Sequence, residues 1–367
     1  MASTTGAPPL TAAKGWPTKL LKTLNVTDSD WDVPWPHIGT LGKQLPFSEA
    51  CAMAEKHGYD AVHLDVDFLL EHGPGRVREL LDAHGLEPGG WRFPCHLHDL
   101  SDDEFFEKEF AQFVREAPLA AAAGYKTTSF HLLPWSNATP KNRFADHFAL
   151  VAARLRRVGE VLREHDIRLA LEFLGPYGNR RVHGRPSRGG HDFVHTIEGI
   201  RCLAAAAGVS SHVGLKLDVH HWHCTGGMLE ELICLEPHEV VLVELNDSTA
   251  SCSRRAQPEF DRDVPGRNGV SDAAGMLAVL MHIGVTCPVH VESFTRRFED
   301  MDTDEAIREQ KAAMDRTFAA AAARVLPADL IGDQPHINDP HEPAGWEERM
   351  ARELSEYRHR HGLAAAC

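Results

Sequence analysis

Residues 214–227 read GLKLDVHHWHCTGG. A short apolar run, typical of a buried strand, stops at Asp218 and is followed by three histidines and a glycine pair. A strand that only fills a core ends in turn residues. A strand that ends in this many potential ligands is instead typical of a binding or catalytic site.

Similar apolar segments recur along the chain. They alternate with amphipathic stretches in which apolar residues return every three or four positions, the pattern of a helix packed on a core. Eight strand–helix units in alternation predict a parallel sheet closed into a (β/α)8 TIM barrel. The predicted strands are Leu20–Val26, Ala61–Val66, Gly90–Pro94, Thr127–Leu132, Arg168–Phe173, Val213–Val219, Val240–Asn246 and Pro288–Ser293.

The two ends of the chain differ from this pattern. Residues 1–16 are rich in Ala, Thr, Gly and Pro and predict a flexible arm before a catalytic barrel at 17–325. Residues 326–367 predict a proline-punctuated linker and a charged helix, which we expect to pack on the barrel or on a sister subunit of a homo-oligomer. A doubly wound open sheet is the alternative fold, but no GxGxxG turn follows the first strand.

Composition narrows the class of partner. The 367 residues carry a net charge of −15, which opposes nucleic-acid binding and favours a small-molecule substrate. The eight cysteines form no CxxC pair, which is typical of a reducing compartment. No apolar run is long enough to cross a membrane, and the N-terminus lacks the pattern of a secretion signal. We therefore expect a cytoplasmic protein without a membrane partner.

Four consecutive predicted strands end in an acid, and these acids are Glu172, Asp218, Glu244 and Glu292. The carboxyl ends of neighbouring barrel strands converge, so these side chains should lie close together. Like charges repel strongly at short range unless a cation lies between them. The pattern therefore predicts one divalent metal held by oxygen ligands, namely Mn²⁺, Mg²⁺ or Co²⁺, with Zn²⁺ as a further option.

The motifs LEFLGP, LDVHHWH, VELND and HVESF resemble those of the xylose-isomerase-like barrel superfamily. That group includes sugar phosphate isomerases/epimerases, ketose 3-epimerases, inosose dehydratases and 3-dehydroshikimate dehydratases. The resemblance covers residues 17–320 and implies a set of metal ligands, Glu172, Asp218, Glu244 and Glu292. It also implies that His221, in the D-x-x-H motif, contacts the substrate. The third ligand in this family is usually His, sometimes Gln, whereas this chain has Glu244.

Several other polar residues are candidates for the same pocket. Lys216 precedes Asp218 by two positions and so shares its face of the strand, where it would offset negative charge or pair with an unrelated acid. The role of the Arg-rich loop 175–193 stays open. The remaining candidates for substrate binding are Trp91 and Arg92 at the end of the third predicted strand, His131 at the end of the fourth, and Arg296 after the eighth.

The resemblance implies a metal-dependent isomerase or epimerase that acts through an enediolate on a ketose or keto-cyclitol. Glu172 and Glu292 would serve as the acid–base pair, with His221 as the third catalytic residue. The alternative is a lyase or dehydratase that uses the same enolate, of the inosose, dehydroshikimate or C-glycoside-cleaving kind, with His221 or His131 protonating the leaving oxygen. An apurinic endonuclease-like repair enzyme is less favoured: VELNDS and the DRD at 261–263 resemble its motifs, but two positions of its histidine-rich zinc site are Glu244 and Asp263.

Overall fold

The barrel is built from short parallel strands. The computed structural model describes residues 17, 19–26, 44–97, 103–136, 144–182, 185–186, 192–298, 300–327 and 330. Within these residues nine strands form one sheet, and a separate antiparallel pair consists of β7 (Arg181–Val182) and β8 (Arg185–Pro186). The strands of the sheet are β1 (Leu21–Leu24), β2 (Ala61–Val62), β3 (Glu87–Pro88), β4 (Trp91–Arg92), β5 (Thr127–Leu132), β6 (Arg168–Phe173), β9 (Val213–Asp218), β10 (Val240–Leu245) and β11 (Pro288–Val291).

The order of the strands closes the sheet into a barrel. The sheet runs β3-β2-β1-β11-β10-β9-β6-β5-β4, and every pairing along it is parallel. Its two edge strands, β3 and β4, are separated in the chain only by Gly89 and Gly90, so they are two halves of one barrel strand. The predicted eight-stranded TIM barrel is therefore confirmed, with its third strand interrupted.

A glycine pair allows the third strand to change partners at this break. The backbone N–H of Gly89 donates to the carbonyl of Val62 in β2 (3.0 Å), whereas β4 pairs with β5. A Cβ on Gly89 would lie 2.2 Å from Cγ2 of Thr23 and 2.9 Å from the carbonyl oxygen of Val62. Gly90 has φ 117°, a conformation that L residues with a side chain rarely adopt. The predicted strand Gly90–Pro94 therefore covers only the second half of the real one.

Ten helices surround the sheet or cover its ends within the described residues. Their boundaries follow local signals: α6 begins after Thr196, whose hydroxyl accepts a hydrogen bond from the N–H of Gly199 (3.2 Å), and ends at Gly208 with φ 73°. The helices are α1 (Phe47–His57), α2 (Val66–His84), α3 (Asp103–Ala122), α4 (Phe144–Glu164), α5 (Tyr177–Arg180), α6 (Ile197–Ala207), α7 (Val219–Thr225), α8 (Leu229–Ile233), α9 (Ala273–Ile283) and α10 (Thr303–Ala323).

The core lies on both faces of the sheet. Every residue of β6, β9 and β10 is buried, as expected for parallel strands with side chains filling the barrel on one face and helices packed on the other. An acid on the inner face of such a strand cannot reach solvent through the wall of the barrel. It can contact solvent or a ligand only at the carboxyl end of the barrel.

The chain divides into two units, Met1–Arg324 and Val325–Cys367. The expected arm at 1–16 and nearly all of the expected extension at 326–367 lie outside the described residues, so both stay predictions. Among the described helices, none is long and apolar enough to span a membrane. The cytoplasmic location likewise stays a prediction.

The strand break gives a test of the barrel's closure. Gly89→Ala should lower the free energy of unfolding by about 1–3 kcal/mol, because its methyl group would collide with Thr23 and with the backbone of Val62. Gly75→Ala is the control, since that glycine is exposed and a Cβ added to it would have nothing within 4 Å. Urea denaturation of both variants measures the difference. Equal stability of the two would contradict this description of the third strand.

Candidate metal centre

The four predicted acids meet at the carboxyl end of the barrel. Glu172 lies near the end of β6, Asp218 ends β9, Glu244 lies near the end of β10, and Glu292 directly follows β11. All four are buried, and each offers a carboxylate oxygen within 4.8 Å of the other three. Neighbouring strands set this convergence, since Glu244 is in register with Asp218 across β10 and β9.

The stretch GLKLDVHHWHCTGG covers β9 from its second residue, the whole of α7 and the two glycines that follow. Asp218 has two roles there, because it ends the strand and its Oδ1 accepts a hydrogen bond from the backbone N–H of His221 (2.9 Å), which caps the helix. His221 then faces the acids, whereas His220 contacts the hydroxyl of Ser248 (2.8 Å). One of the histidines thus joins the acidic cluster and its neighbour packs beside it.

Arg262 is a central residue of the site that the sequence motifs did not single out. Its guanidinium lies 2.9 Å from Oδ2 of Asp218 and 2.7 Å from Oε2 of Glu292, and its side chain is 1% exposed. It also contacts Glu259 at 3.2 Å and the ring of Phe294 at 4.5 Å. Arg262 therefore ties together acids from two strands that are not adjacent in the sheet.

A backbone bridge holds the loop that carries Arg262. Asp247 and Asp263 exchange backbone hydrogen bonds of 2.8 and 2.9 Å, one on each side of the loop. The carboxylate of Asp247 accepts four more, from the backbone N–H groups of residues 268–271. Asp263, a candidate zinc position in the repair-enzyme hypothesis, instead pairs with Arg297 at 2.6 Å. In the DRD motif, Asp263 therefore anchors the loop, and this anchoring positions Arg262 beside the acids.

Lys216 supplies the second cation. Its ammonium lies 3.2 Å from Oε2 of Glu172 and 2.8 Å from Oε2 of Glu244. Burial disfavours a charged lysine, but these two carboxylates outweigh burial and raise its pKa well above the usual value. Of the two alternatives for Lys216, pairing with the site's own acids is the one that the geometry supports.

His221 lies between two carboxylates. Its Nε2 is 3.3 Å from Oε1 of Glu172 and 3.5 Å from Oε1 of Glu259, which is itself held by the amide of Asn179 at 2.6 Å. Burial lowers the pKa of His221, but Glu259, Asp218 and Glu172 outweigh burial and raise it to about 9. The backbone N–H of Gly175 faces Nδ1 at 3.3 Å and opposes a second proton there. Nε2 therefore carries a proton that faces the acids.

The acids of the cluster differ in their affinity for protons. Burial raises the pKa of Glu172, but the charges of Lys216 and His221 outweigh burial and hold it well below its usual range. Burial raises the pKa of Glu292 to about 7 in spite of Arg262, and burial together with Glu292 raises the pKa of Glu244 further. Lys216 and Arg262 thus provide too little positive charge for all four acids to be ionised.

The donor set fits a divalent metal. Carboxylate oxygens within 4.8 Å of one another can all lie at the roughly 2.0–2.6 Å that metal–oxygen bonds require. Oε1 of Glu172 and Oδ1 of Asn246 are buried without a hydrogen-bond partner, which leaves acceptors at the cluster. A divalent cation would also supply positive charge that allows the four acids to be ionised together beside Lys216 and Arg262.

The other sequence candidates have different surroundings. His131 is in register with Glu172 on the adjacent strand, and burial lowers its pKa to about 3, which keeps the imidazole neutral. Trp91 is fully buried with its ring stacked on Phe113 of α3, and its contact with a substrate stays a prediction. Arg92 is half-buried beside it in β4, and Arg296 is exposed in the turn after β11.

The fold and the acidic cluster agree with one known family. A family model described as "Xylose isomerase-like TIM barrel" matches residues 51–317, and the chain belongs to this family. The resemblance found in the sequence motifs is thereby confirmed.

Individual relatives are distant. An inosose isomerase of Halalkalibacterium halodurans is 24% identical over 157 residues, which are 43% of this chain, and the chain spans about half (50%) of that relative's length. A xylose isomerase domain protein from Alicyclobacillus acidocaldarius has a TM-score of 0.68 at 22% identity, covering 83% of this chain and 99% of its own. A structure of IOLI protein with a bound zinc atom has a TM-score of 0.65 at 19% identity, and the match covers 83% of this chain and 100% of that protein. At these identities the structures show a shared fold.

The buried cation Arg262 gives a test of the site's electrostatics. Arg262→Met should lower the free energy of unfolding by about 3–5 kcal/mol, because it leaves Asp218 and Glu292 without their shared partner. Arg297→Met is the matched control: Arg297 also joins two acids, but it is 26% exposed, and its loss should cost about 1 kcal/mol. Chemical denaturation measures both. Equal losses would mean that Arg262 does not compensate the buried acids.

Proposed function

We propose that the protein is a divalent-metal-dependent isomerase or epimerase that acts on a ketose or keto-cyclitol through an enediolate. The four buried carboxylates within 4.8 Å of one another are the observation that carries the proposal. Membership of the xylose isomerase-like family supports it, as does the similarity to an inosose isomerase and to a zinc-containing structure. A D-psicose 3-epimerase from Clostridium cellulolyticum, studied with D-tagatose, has the same fold at a TM-score of 0.59 and 13% identity. The substrate is thus a small sugar or cyclitol.

The ligands in this proposal are Glu172, Asp218, Glu244 and Glu292. A metal held by them would polarise a substrate carbonyl and the neighbouring hydroxyl, which makes the proton on the carbon between them more acidic. A ligand set of oxygens alone favours the hard ions Mn²⁺ and Mg²⁺, with Co²⁺ next. Zn²⁺ stays a candidate because a neighbouring structure contains it.

Proton transfer is assigned to Glu172 and Glu292. β9 and β10 lie between the strands that carry them, so the two carboxylates flank the centre of the cluster from opposite sides. Each can therefore remove or return a proton on one face of a planar enediolate, as epimerisation requires. Oε1 of Glu172 is buried 3.3 Å from Nε2 of His221 without a hydrogen bond of good geometry, which leaves it available to accept that proton.

Two further side chains would orient the substrate. Nε2 of His221 is buried without a hydrogen-bond partner, and it is directed at the space beside Glu172. A substrate hydroxyl there would satisfy both groups. His131 offers a neutral imidazole on the adjacent strand and would contact another oxygen of the same substrate.

A lyase is the second candidate, and the position of His221 favours it. A substrate with a leaving group on the carbon beyond the enediolate would lose water or an aglycone instead of being reprotonated. Nε2 of His221 could donate the proton that the leaving oxygen needs, since it faces the cluster at 3.3 Å from Glu172. Isomerase and lyase share the first proton abstraction and differ in the fate of the enediolate.

Deuterium exchange tests the proposal. Incubation in D₂O with a panel of ketoses and keto-cyclitols should place deuterium on the carbon next to the carbonyl, because the proton taken by a glutamate exchanges with solvent. Glu292→Gln should slow this exchange by about 10²–10⁴-fold, the usual effect of losing a general base. Glu116→Gln is the control, since Glu116 is equally buried but lies on α3, where it accepts a hydrogen bond from Gln112.

The same experiment separates the candidates. Exchange with a product that differs from the substrate in mass only by the incorporated deuterium indicates an isomerase or epimerase, and exchange with loss of water or an aglycone indicates a lyase. Turnover without exchange of any carbon-bound hydrogen would overturn both.

A further inference from the structure

The lysine inside the acidic cluster has a partner at the neighbouring strand. Lys216 lies in β9, two residues before Asp218, and both side chains face the barrel interior. In register, Lys216 is paired with Glu172 of β6 on one side and with Leu242 of β10 on the other. Glu244 follows Leu242 by two positions, so its carboxylate reaches back over the lysine, 2.8 Å from the ammonium.

This contact differs from an ordinary surface ion pair. The side chains of Lys216 and Glu244 are 10% and 3% exposed, and that of Glu172 is 5% exposed. A buried ammonium is stable only beside carboxylates, and buried carboxylates are stable only beside cations. Removal of Lys216 would therefore leave Glu172 and Glu244 without their shared cation, whereas removal of Glu244 would leave Lys216 paired with Glu172.

The pair also determines the chemistry of the ligand set. The positive charge of Lys216 offsets the negative charge of Glu244. The site therefore has the same net charge as one with three carboxylates, a neutral ligand at position 244 and no lysine. We propose that Lys216 and Glu244 act as one unit, in which the lysine allows a carboxylate to occupy this ligand position and thereby makes the centre select a hard divalent ion over a softer one. This inference rests on the proposed metal site.

The physical basis of the selection is the kind of donor atom. Carboxylate oxygens suit Mg²⁺ and Mn²⁺, whereas an imidazole nitrogen strengthens binding of Zn²⁺ and other softer ions. Lys216→Met with Glu244→His together replace a charged pair by a neutral one and keep the net charge of the cluster. Each single change shifts that charge by one unit. The two substitutions should therefore be non-additive.

A double-mutant cycle on the full-length protein tests the unit. After removal of metal with EDTA, Lys216→Met should lower the melting temperature by roughly 6 °C or more, and adding Glu244→His to it should recover most of the loss, whereas Glu244→His alone should cost much less because Lys216 keeps Glu172 as its partner. Titration with Mn²⁺ and Zn²⁺ should show that the double variant shifts the ratio of the two dissociation constants by about 10-fold or more toward Zn²⁺. If Lys216→Met does not fold, a folded double variant is itself the recovery.

Lys311→Met is the matched control. Lys311 is also 10% exposed and paired, to Asp315 at 2.7 Å, but it lies on α10 and contacts none of the four acids. Its loss should leave the metal ratio unchanged. Additive melting shifts with an unchanged ratio in the double variant would overturn the inference alone. A wild-type protein that binds neither ion would overturn the proposed metal site and this inference with it.

Discussion

The mutual repulsion of four buried carboxylates is the interaction on which the end of this barrel depends. Each acid lies at the end of a strand that is buried along its whole length, so none can turn away into solvent. Two buried cations reduce this repulsion, and each of them contacts two of the acids. Lys216 lies between Glu172 and Glu244, and Arg262 lies between Asp218 and Glu292.

Several features that lie far apart in the chain contribute to this end of the barrel. The loop after β10 is anchored by the Asp247–Asp263 bridge, and this anchoring brings Arg262 to the acids. Gly175 lies so close to α7 that a Cβ would be 2.0 Å from the carbonyl oxygen of His221, so a glycine is needed where the loop after β6 meets that helix. These loops add the stabilising groups, whereas the strands supply the acids and Lys216.

The strand ends were predictable because their signal is local. An apolar run that stops at an acid can be read from a few residues, and Thr127–Leu132 and Arg168–Phe173 agree with β5 and β6 at both ends. Lys216 could be selected because strand alternation places it on the same face as Asp218.

The interruption of the third strand could not be predicted, since a Gly–Gly pair at this place is equally compatible with a turn before the strand. Arg262 and Glu259 could not be selected from periodicity either, because both lie in an irregular loop that only the tertiary pairing of Asp247 with Asp263 brings to the site. The DRD motif does contain the arginine, and the need for buried cations beside four acids is the signal that could have selected it.

One divalent ion should occupy the point where the four acids meet, and anomalous diffraction from crystals grown with Mn²⁺ tests this most directly. We expect a single strong peak at about 2.0–2.6 Å from carboxylate oxygens of Glu172, Asp218, Glu244 and Glu292. Crystals without a peak there, or with Mn²⁺ bound only at other acids, would contradict the proposed metal centre.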